Sequence, residues 1–260
     1  MARSGRSAAP RSGGNNYFDE RQVVFFRPAW YRPAYRRVED TDQIYFWAYD
    51  SLMQLSTPSD NSLGALPVRI GVFGGTFDPP HIDHLVKAIN VRFELKLDRV
   101  LMVVANEPWQ KVGSRRLSSA ADRFAMVQAA VVAEEGIEAS DVELQRGGPS
   151  YTVDTLATLR AKEPNSELFL ILGGDAAAGL ESWERPEELA RQCQIIVVDR
   201  PGVVSTVPSS FTVERVSVPR LEVSSTDLRE RAATNAPLQH LIPEPVISLI
   251  SKLGLYGDAS

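Results

Sequence analysis

Between an apolar run ending at Phe73 and a helical pattern beginning at Leu85 lies Gly74-Gly75-Thr76-Phe77-Asp78-Pro79-Pro80-His81-Ile82-Asp83-His84. Few folds accommodate such a segment. The run before it, Val68-Arg69-Ile70-Gly71-Val72-Phe73, reads as a buried strand, and Leu85-Val86-Lys87-Ala88-Ile89-Asn90-Val91 reads as a helix start. A glycine turn, a rigid proline pair and two imidazoles therefore stand at a strand-to-helix junction. Glycines let backbone amides come close to an anion, and the helix start adds partial positive charge. The segment is neither Gly-x-x-x-x-Gly-Lys nor Gly-x-Gly-x-x-Gly, so the commonest phosphate loops do not describe it.

The rest of the chain repeats that grammar. Apolar runs at Arg69–Phe73, Arg99–Val104, Glu167–Leu172, Gln194–Val198 and Thr212–Val218 alternate with helical patterns at 83–95, 117–134, 152–162, 175–179 and 185–191. Helices at Ser224–Ala233 and Glu244–Leu253 are expected to close the chain. Such alternation implies an α/β fold, a doubly wound parallel sheet with helices on both faces. Right-handed crossovers then place ligands beyond the C-terminal strand ends. The Gly-Gly motif, Pro108–Lys111 and Gly173–Asp175 each follow a strand directly, so they are expected to converge there.

Charge divides the chain. Residues 1–37 carry eight arginines against Asp19 and Glu20, about +6, which leaves about −11 on the remainder of a chain whose net charge is −5. The first sixteen residues, rich in Ser, Gly and Arg, are expected to be disordered. Residues 42–55 form a plausible amphipathic helix, and 56–65 read as a linker. We therefore expect an N-terminal extension over 1–66 and one domain over 67–260. The extension either packs on that domain or on a neighbouring subunit of a homo-oligomer, or it serves as a docking arm for an acidic partner or nucleic acid. The net negative charge argues against general nucleic-acid binding. A single cysteine, Cys193, permits no disulfide within the chain and is expected to be a small buried hydrophobe. With no membrane-length apolar run and no visible signal peptide, a soluble cytoplasmic protein is expected.

At the histidine motif the chain resembles the HxGH nucleotidyltransferase superfamily, and within it the bacterial nicotinate-nucleotide adenylyltransferases. Other marks of that family follow in order. They are Pro108-Trp109-Gln110-Lys111, then Gly148-Pro149-Ser150-Tyr151-Thr152, then Leu172-Gly173-Gly174-Asp175 and Ser182-Trp183. Val198-Asp199-Arg200-Pro201-Gly202 and Val223-Ser224-Ser225-Thr226-Asp227-Leu228-Arg229 complete the set. The resemblance covers about residues 68 to 257 and implies a Rossmann-like sheet. It implies attack by the phosphate of nicotinic acid mononucleotide on the α-phosphorus of ATP, with Mg²⁺ accompanying the nucleotide. No side-chain nucleophile is needed, because the attacking group is already an anion.

The roles carried over are as follows. His81 and His84 are the catalytic pair. Gly74, Gly75, Thr76, Phe77, Gly173, Asp175, Ser225, Thr226 and Arg229 bind ATP. Lys111, Tyr151, Thr152 and Trp183 bind the mononucleotide, with Trp183 stacking on the pyridine and the Tyr151–Thr152 backbone receiving its carboxylate. No side chain is assigned to a metal. On the residues alone, Asp175 either holds a ribose hydroxyl or caps a helix, and Lys111 either meets a phosphate or is solvated. Trp109 and Arg123 pack or orient the loop around Lys111.

Two departures stand out. Ala105-Asn106-Glu107 precedes Pro108 where the family usually has Pro-Thr-Gly, and Asp83 replaces the glycine between the histidines. We expect Asp83 to point outward as a first-turn residue that complements the helix dipole; the alternative is a carboxylate that faces the ATP site and weakens ATP binding. Two other readings stay open: an adenylyltransferase for another phosphorylated acceptor, and a catalytically weak nucleotide-binding or scaffold protein.

Overall fold

The computed structural model describes residues 66–108, 117–199, 202 and 204–257. The extension, the helix expected at 42–55, Trp109, Lys111, Arg200 and Pro201 lie outside the described residues.

Six strands form one sheet in the order β3-β2-β1-β4-β5-β6. They are β1 Arg69–Gly75, β2 Arg99–Val104, β3 Ile137–Ser140, β4 Glu167–Gly173, β5 Gln194–Asp199 and β6 Val213–Ser217. Every neighbouring pair is parallel. The chain winds outward from β1 through β2 to β3, then returns beside β1 and winds the other way from β4. The sheet is thus Rossmann-like, with its switch point between β1 and β4, where a crevice opens at the C-terminal strand ends.

Strand side chains alternate, so each strand feeds two cores. Val100, Met102, Phe169, Ile171, Ile196 and Val198 join a layer with helices α1 (Ile82–Glu94), α2 (Ala120–Val131), α7 (Ser225–Ala233) and α8 (Glu244–Leu253). Ile70, Val72, Leu101, Val103, Leu168, Leu170 and Ile195 join the other. That second layer carries α3 (Val142–Arg146), α4 (Thr152–Lys162), α5 (Gly174–Ala178) and α6 (Pro186–Gln192). Near-continuous burial of both faces is what turns these strands into unbroken apolar runs. Gly71 is required by contact rather than by conformation: a Cβ there would sit 2.8 Å from Val100 Cγ2.

The elements expected within the described residues are present, with adjusted ends. The strand runs through Gly74 and Gly75, so the pair closes β1 instead of forming the turn, which begins at Thr76. The helix expected over 117–134 is trimmed to Ala120–Val131, because Ser119 caps it by accepting from the Asp122 N–H at 3.1 Å. Strand β3 and helix α3 were not anticipated; at four and five residues they are too short to show a period. Cys193 is half-buried, packed against the second core rather than inside it. No helix among the described residues is long and apolar enough to cross a membrane.

Candidate active site

The loop between β1 and α1 is built around Phe77. Its backbone takes φ 51°, which folds the ring back beneath the strand end. A Cβ on Gly75 would lie 2.6 Å from that ring, so only glycine fits there. The Phe77 ring then meets the imidazole of His84 edge-on at 5.0 Å. His84 in turn lies 3.8 Å from the ring of His81, tilted by 32°. The two histidines are therefore stacked on one another and supported from below by an aromatic ring.

His81 caps α1 in an extended conformation and is 4% exposed. Burial lowers its pKa from 6.5 to about 4, against a smaller opposing pull from Asp83. It is neutral at neutral pH. His84 Nδ1 accepts from the His81 backbone N–H at 3.2 Å. In the neutral ring that acceptor role leaves the proton on Nε2, which becomes a donor.

The loop is braced from both sides. Arg229 Nη1 donates to the Asp78 carbonyl at 2.8 Å, and Ser225 Oγ donates to the Pro79 carbonyl at 2.9 Å. Tyr256 donates its phenolic proton to Asp78 Oδ1 at 2.7 Å. Burial and the neighbouring Asp78 carboxylate hold the Tyr256 pKa above the ordinary 10. Across the loop, Arg123 is 1% exposed and gathers four carbonyls: Thr76 at 3.0 Å, Ala105 at 2.6 Å, Asn106 at 3.2 Å and Ser118 at 3.1 Å. A guanidinium that ties β1, β2 and the start of α2 together orients the loop rather than contacting ligand.

Two cavities open at the switch point. The smaller, about 240 Å³, is lined by Gly74, Gly75, Thr76, Pro108, Glu143, Tyr151, Thr152, Gly173 and Trp183. The larger, about 520 Å³, is lined by Asp83, His84, Lys87, Gly173, Gly174, Asp175, Asp199 and Arg220. Gly173 and Ala176 belong to both walls, so the two spaces adjoin at the end of β4. The structure thus brings together on these walls most residues named from the sequence. Ser225, Thr226 and Arg229 stand behind them. The Ser225 hydroxyl is committed to Pro79, and Thr226 Oγ1 accepts from Arg229 Nη2 at 3.0 Å. Their side chains therefore act on the loop, and what the start of α7 offers an anion is its backbone amides.

The wall of the smaller cavity is stitched from three loops. Ser150 N–H donates to the Glu107 carbonyl at 3.0 Å, Glu107 N–H donates to Ser150 Oγ at 3.1 Å, and Asn106 Nδ2 donates to the Gly148 carbonyl at 2.9 Å. Arg185, at φ 47°, pairs with Asp154 and so ties the Trp183 loop to the start of α4. Sequence reading missed Glu143, which is 6% exposed and accepts from Thr155 Oγ1 at 2.6 Å. Its helix is too short to have signalled it.

Asp83 corrects the expectation of an outward first-turn side chain. It is 8% exposed, sits on the wall of the larger cavity, and accepts from Lys87 Nζ at 2.5 Å. Among the α1 residues, Asp83 is buried along with Leu85, Ala88 and Val91. Sequence reading missed the pair with Lys87, although the i,i+4 spacing of Asp83 and Lys87 is a signal that could have found it. Asp199, on the same wall, is held by Ser205 N–H at 3.0 Å and Arg215 Nη1 at 2.6 Å. Burial works against its charge, but these bonds outweigh it and keep its pKa below the usual carboxylate value.

Comparison with known proteins agrees with this geometry. The cytidylyltransferase-like family model matches residues 72–231. A protein of Acidothermus cellulolyticus named "Probable nicotinate-nucleotide adenylyltransferase" is 41% identical, over 72% of this chain and 94% of its own. One of the same name from Streptomyces coelicolor is 44% identical, over 70% of this chain and 98% of its own. In fold, the chain is similar to the nicotinic acid mononucleotide adenylyltransferase of Plasmodium falciparum, solved with NaAD. That likeness has a TM-score of 0.60 at 20% identity, over 72% of this chain and 97% of that one. The chain belongs to the cytidylyltransferase-like family, and within it to the nicotinate-nucleotide adenylyltransferases.

Proposed function

We propose that the protein transfers the adenylyl group of ATP to nicotinic acid mononucleotide, forming nicotinic acid adenine dinucleotide and pyrophosphate. The observation that carries this reading is the pair of adjoining cavities beneath the stacked histidines. One is polar and faced by His84; the other is walled by Trp183 and the Tyr151–Thr152 helix start. ATP takes the larger space and the mononucleotide the smaller, which brings the nucleophilic phosphate to the α-phosphorus at the strand ends. A mononucleotide phosphate oxygen forms the new P–O bond, and the bond to the β-phosphate breaks.

Catalysis is positioning plus charge stabilisation. His84, donating through Nε2, meets charge building on the phosphates. His81, neutral and buried, holds it in place. Backbone amides at Gly75–Phe77 and at the start of α7 supply further donors. Mg²⁺ neutralises the leaving pyrophosphate when bound. The larger cavity suits an ion carried chiefly by phosphate and water. Asp83 and Asp199 are committed to Lys87 and Arg215, so the phosphates themselves would hold such an ion, with Asp175 the remaining carboxylate on that wall. Lys111, beyond the described residues, would extend the mononucleotide site as the resemblance implies.

A carboxylate at the pyridine gains charge-assisted bonds from helix-start amides, whereas an amide presents a donor to donors. The test is steady-state turnover with ATP, Mg²⁺ and a panel of phosphorylated acceptors. The acid mononucleotide should exceed its amide by about 10²-fold or more in kcat/KM. Equal values, or faster turnover of a non-pyridine acceptor, would defeat the substrate assignment.

A further inference from the structure

The larger cavity has a feature that a triphosphate site has no evident use for: a carboxylate between the two histidines, at Asp83. Asp83 lies one residue before His84, and both line the cavity with Lys87 and Asp175. A bare negative charge there would repel the phosphates that His84 is placed to meet. The carboxylate is not bare. Lys87 Nζ sits 2.5 Å from Asp83 Oδ2, and the two side chains are only 22% and 12% exposed. The residues stand one turn apart on α1, and both line the cavity. The first turn of the helix is fixed in place: His81 caps it, and the Ile82 N–H donates to the Leu241 carbonyl at 3.0 Å. Both charges are felt at His81 with opposite sign, Asp83 raising and Lys87 lowering its proton affinity, so Lys87 offsets part of the Asp83 field beside the catalytic pair.

We propose that Lys87 is a positioning residue for ATP, acting through Asp83: it sequesters the Asp83 carboxylate in a paired, neutral wall so that the triphosphate can occupy the larger cavity. This rests on the reading of that cavity as the ATP site. Lys87 makes the aspartate between the histidines compatible with an anionic ligand, and the two positions form one functional unit. The mononucleotide cavity shares neither residue, so the effect is confined to ATP.

The unit is tested by a double-mutant cycle with two readouts, calorimetric titration of ATP–Mg²⁺ into the intact chain and KM for each substrate. Lys87→Met exposes the Asp83 charge and should raise the Kd and KM for ATP about tenfold or more, with KM for the mononucleotide within about twofold. Adding Asp83→Gly to Lys87→Met should bring ATP affinity back to within about threefold of wild type. Asp83→Asn alone, which keeps the shape and frees the ammonium, should tighten ATP binding. This variant keeps the side-chain volume and leaves unpaired only the more exposed partner, Lys87, so it keeps the test open if Lys87→Met folds poorly. Unchanged ATP affinity in Lys87→Met would overturn the proposal. So would a loss that Asp83→Gly fails to rescue, since Lys87 would then act on the nucleotide directly, or weaker ATP binding in Asp83→Asn. Failure of the underlying reading looks different: wild-type protein would then neither bind ATP–Mg²⁺ nor form dinucleotide.

Discussion

The guanidinium of Arg229 donates to the carbonyl of Asp78 at 2.8 Å, joining positions 151 residues apart. With Ser225 on the next carbonyl, it makes the start of α7 a clamp on the histidine loop. The clamp is built from the very residues that sequence reading assigned to phosphate, and it explains why they sit so far from His81 in the chain.

Arg229→Lys should loosen that clamp. Lysine keeps a charge but cannot reach Asp78 and Thr226 at once as the planar fork does. We expect kcat to fall about tenfold or more through misplaced histidines, and stability to fall by about 1 kcal/mol. Stopped-flow turnover and urea unfolding would check both. Wild-type kcat in a folded variant would remove the clamp from the mechanism.

His84→Ala should lower kcat by roughly 10²–10³, as when a preorganised donor to developing charge is lost. The Phe77 ring and the His81 backbone, which contact His84, remain in place, so KM for the mononucleotide should change little. A variant within threefold of wild-type kcat would exclude His84 from catalysis.

The buried His81 makes a pH prediction with a definite sign. Its folded pKa of about 4 lies below the ordinary 6.5. Between those values the unfolded chain binds a proton that the folded chain refuses. Stability therefore rises with pH through that window; the contribution is full above it and is lost as pH falls toward 4. The whole step amounts to about 3 kcal/mol. Denaturant melts of wild type and His81→Gln at pH 4.5 and 7 should show the variant losing less on acidification. Parallel losses in the two proteins would contradict a neutral, buried His81.

Much of this was legible because the signals are local. Strands buried on both faces announce themselves as apolar runs, and β2 and α4 fall at Arg99–Val104 and Thr152–Lys162 as the periodicity predicts. The convergence of Gly75, Pro108 and Gly173 followed from placing each motif after a strand, whereas Trp183 was named from the family resemblance. What stayed hidden depends on tertiary contact. Arg123 has nothing in its neighbours to say that it gathers carbonyls from three loops. Glu143 sits on a helix of five residues with no period to read. The orientation of Asp83 was hidden likewise: dipole preference argues for the first turn but does not choose the face, and in the structure the side chain lies on the cavity wall, paired with Lys87.

The central claim is adenylyl transfer at the α-phosphorus, and the path of isotope tests it most directly. Purified protein is incubated with nicotinic acid mononucleotide, Mg²⁺ and ATP labelled at either the α- or the γ-phosphate, and the products are separated by chromatography. The account predicts α-label in the dinucleotide, γ-label in pyrophosphate, and equal amounts of the two products. Label from the γ-position in the dinucleotide fraction, or ATP consumption without α-label transfer, would contradict it.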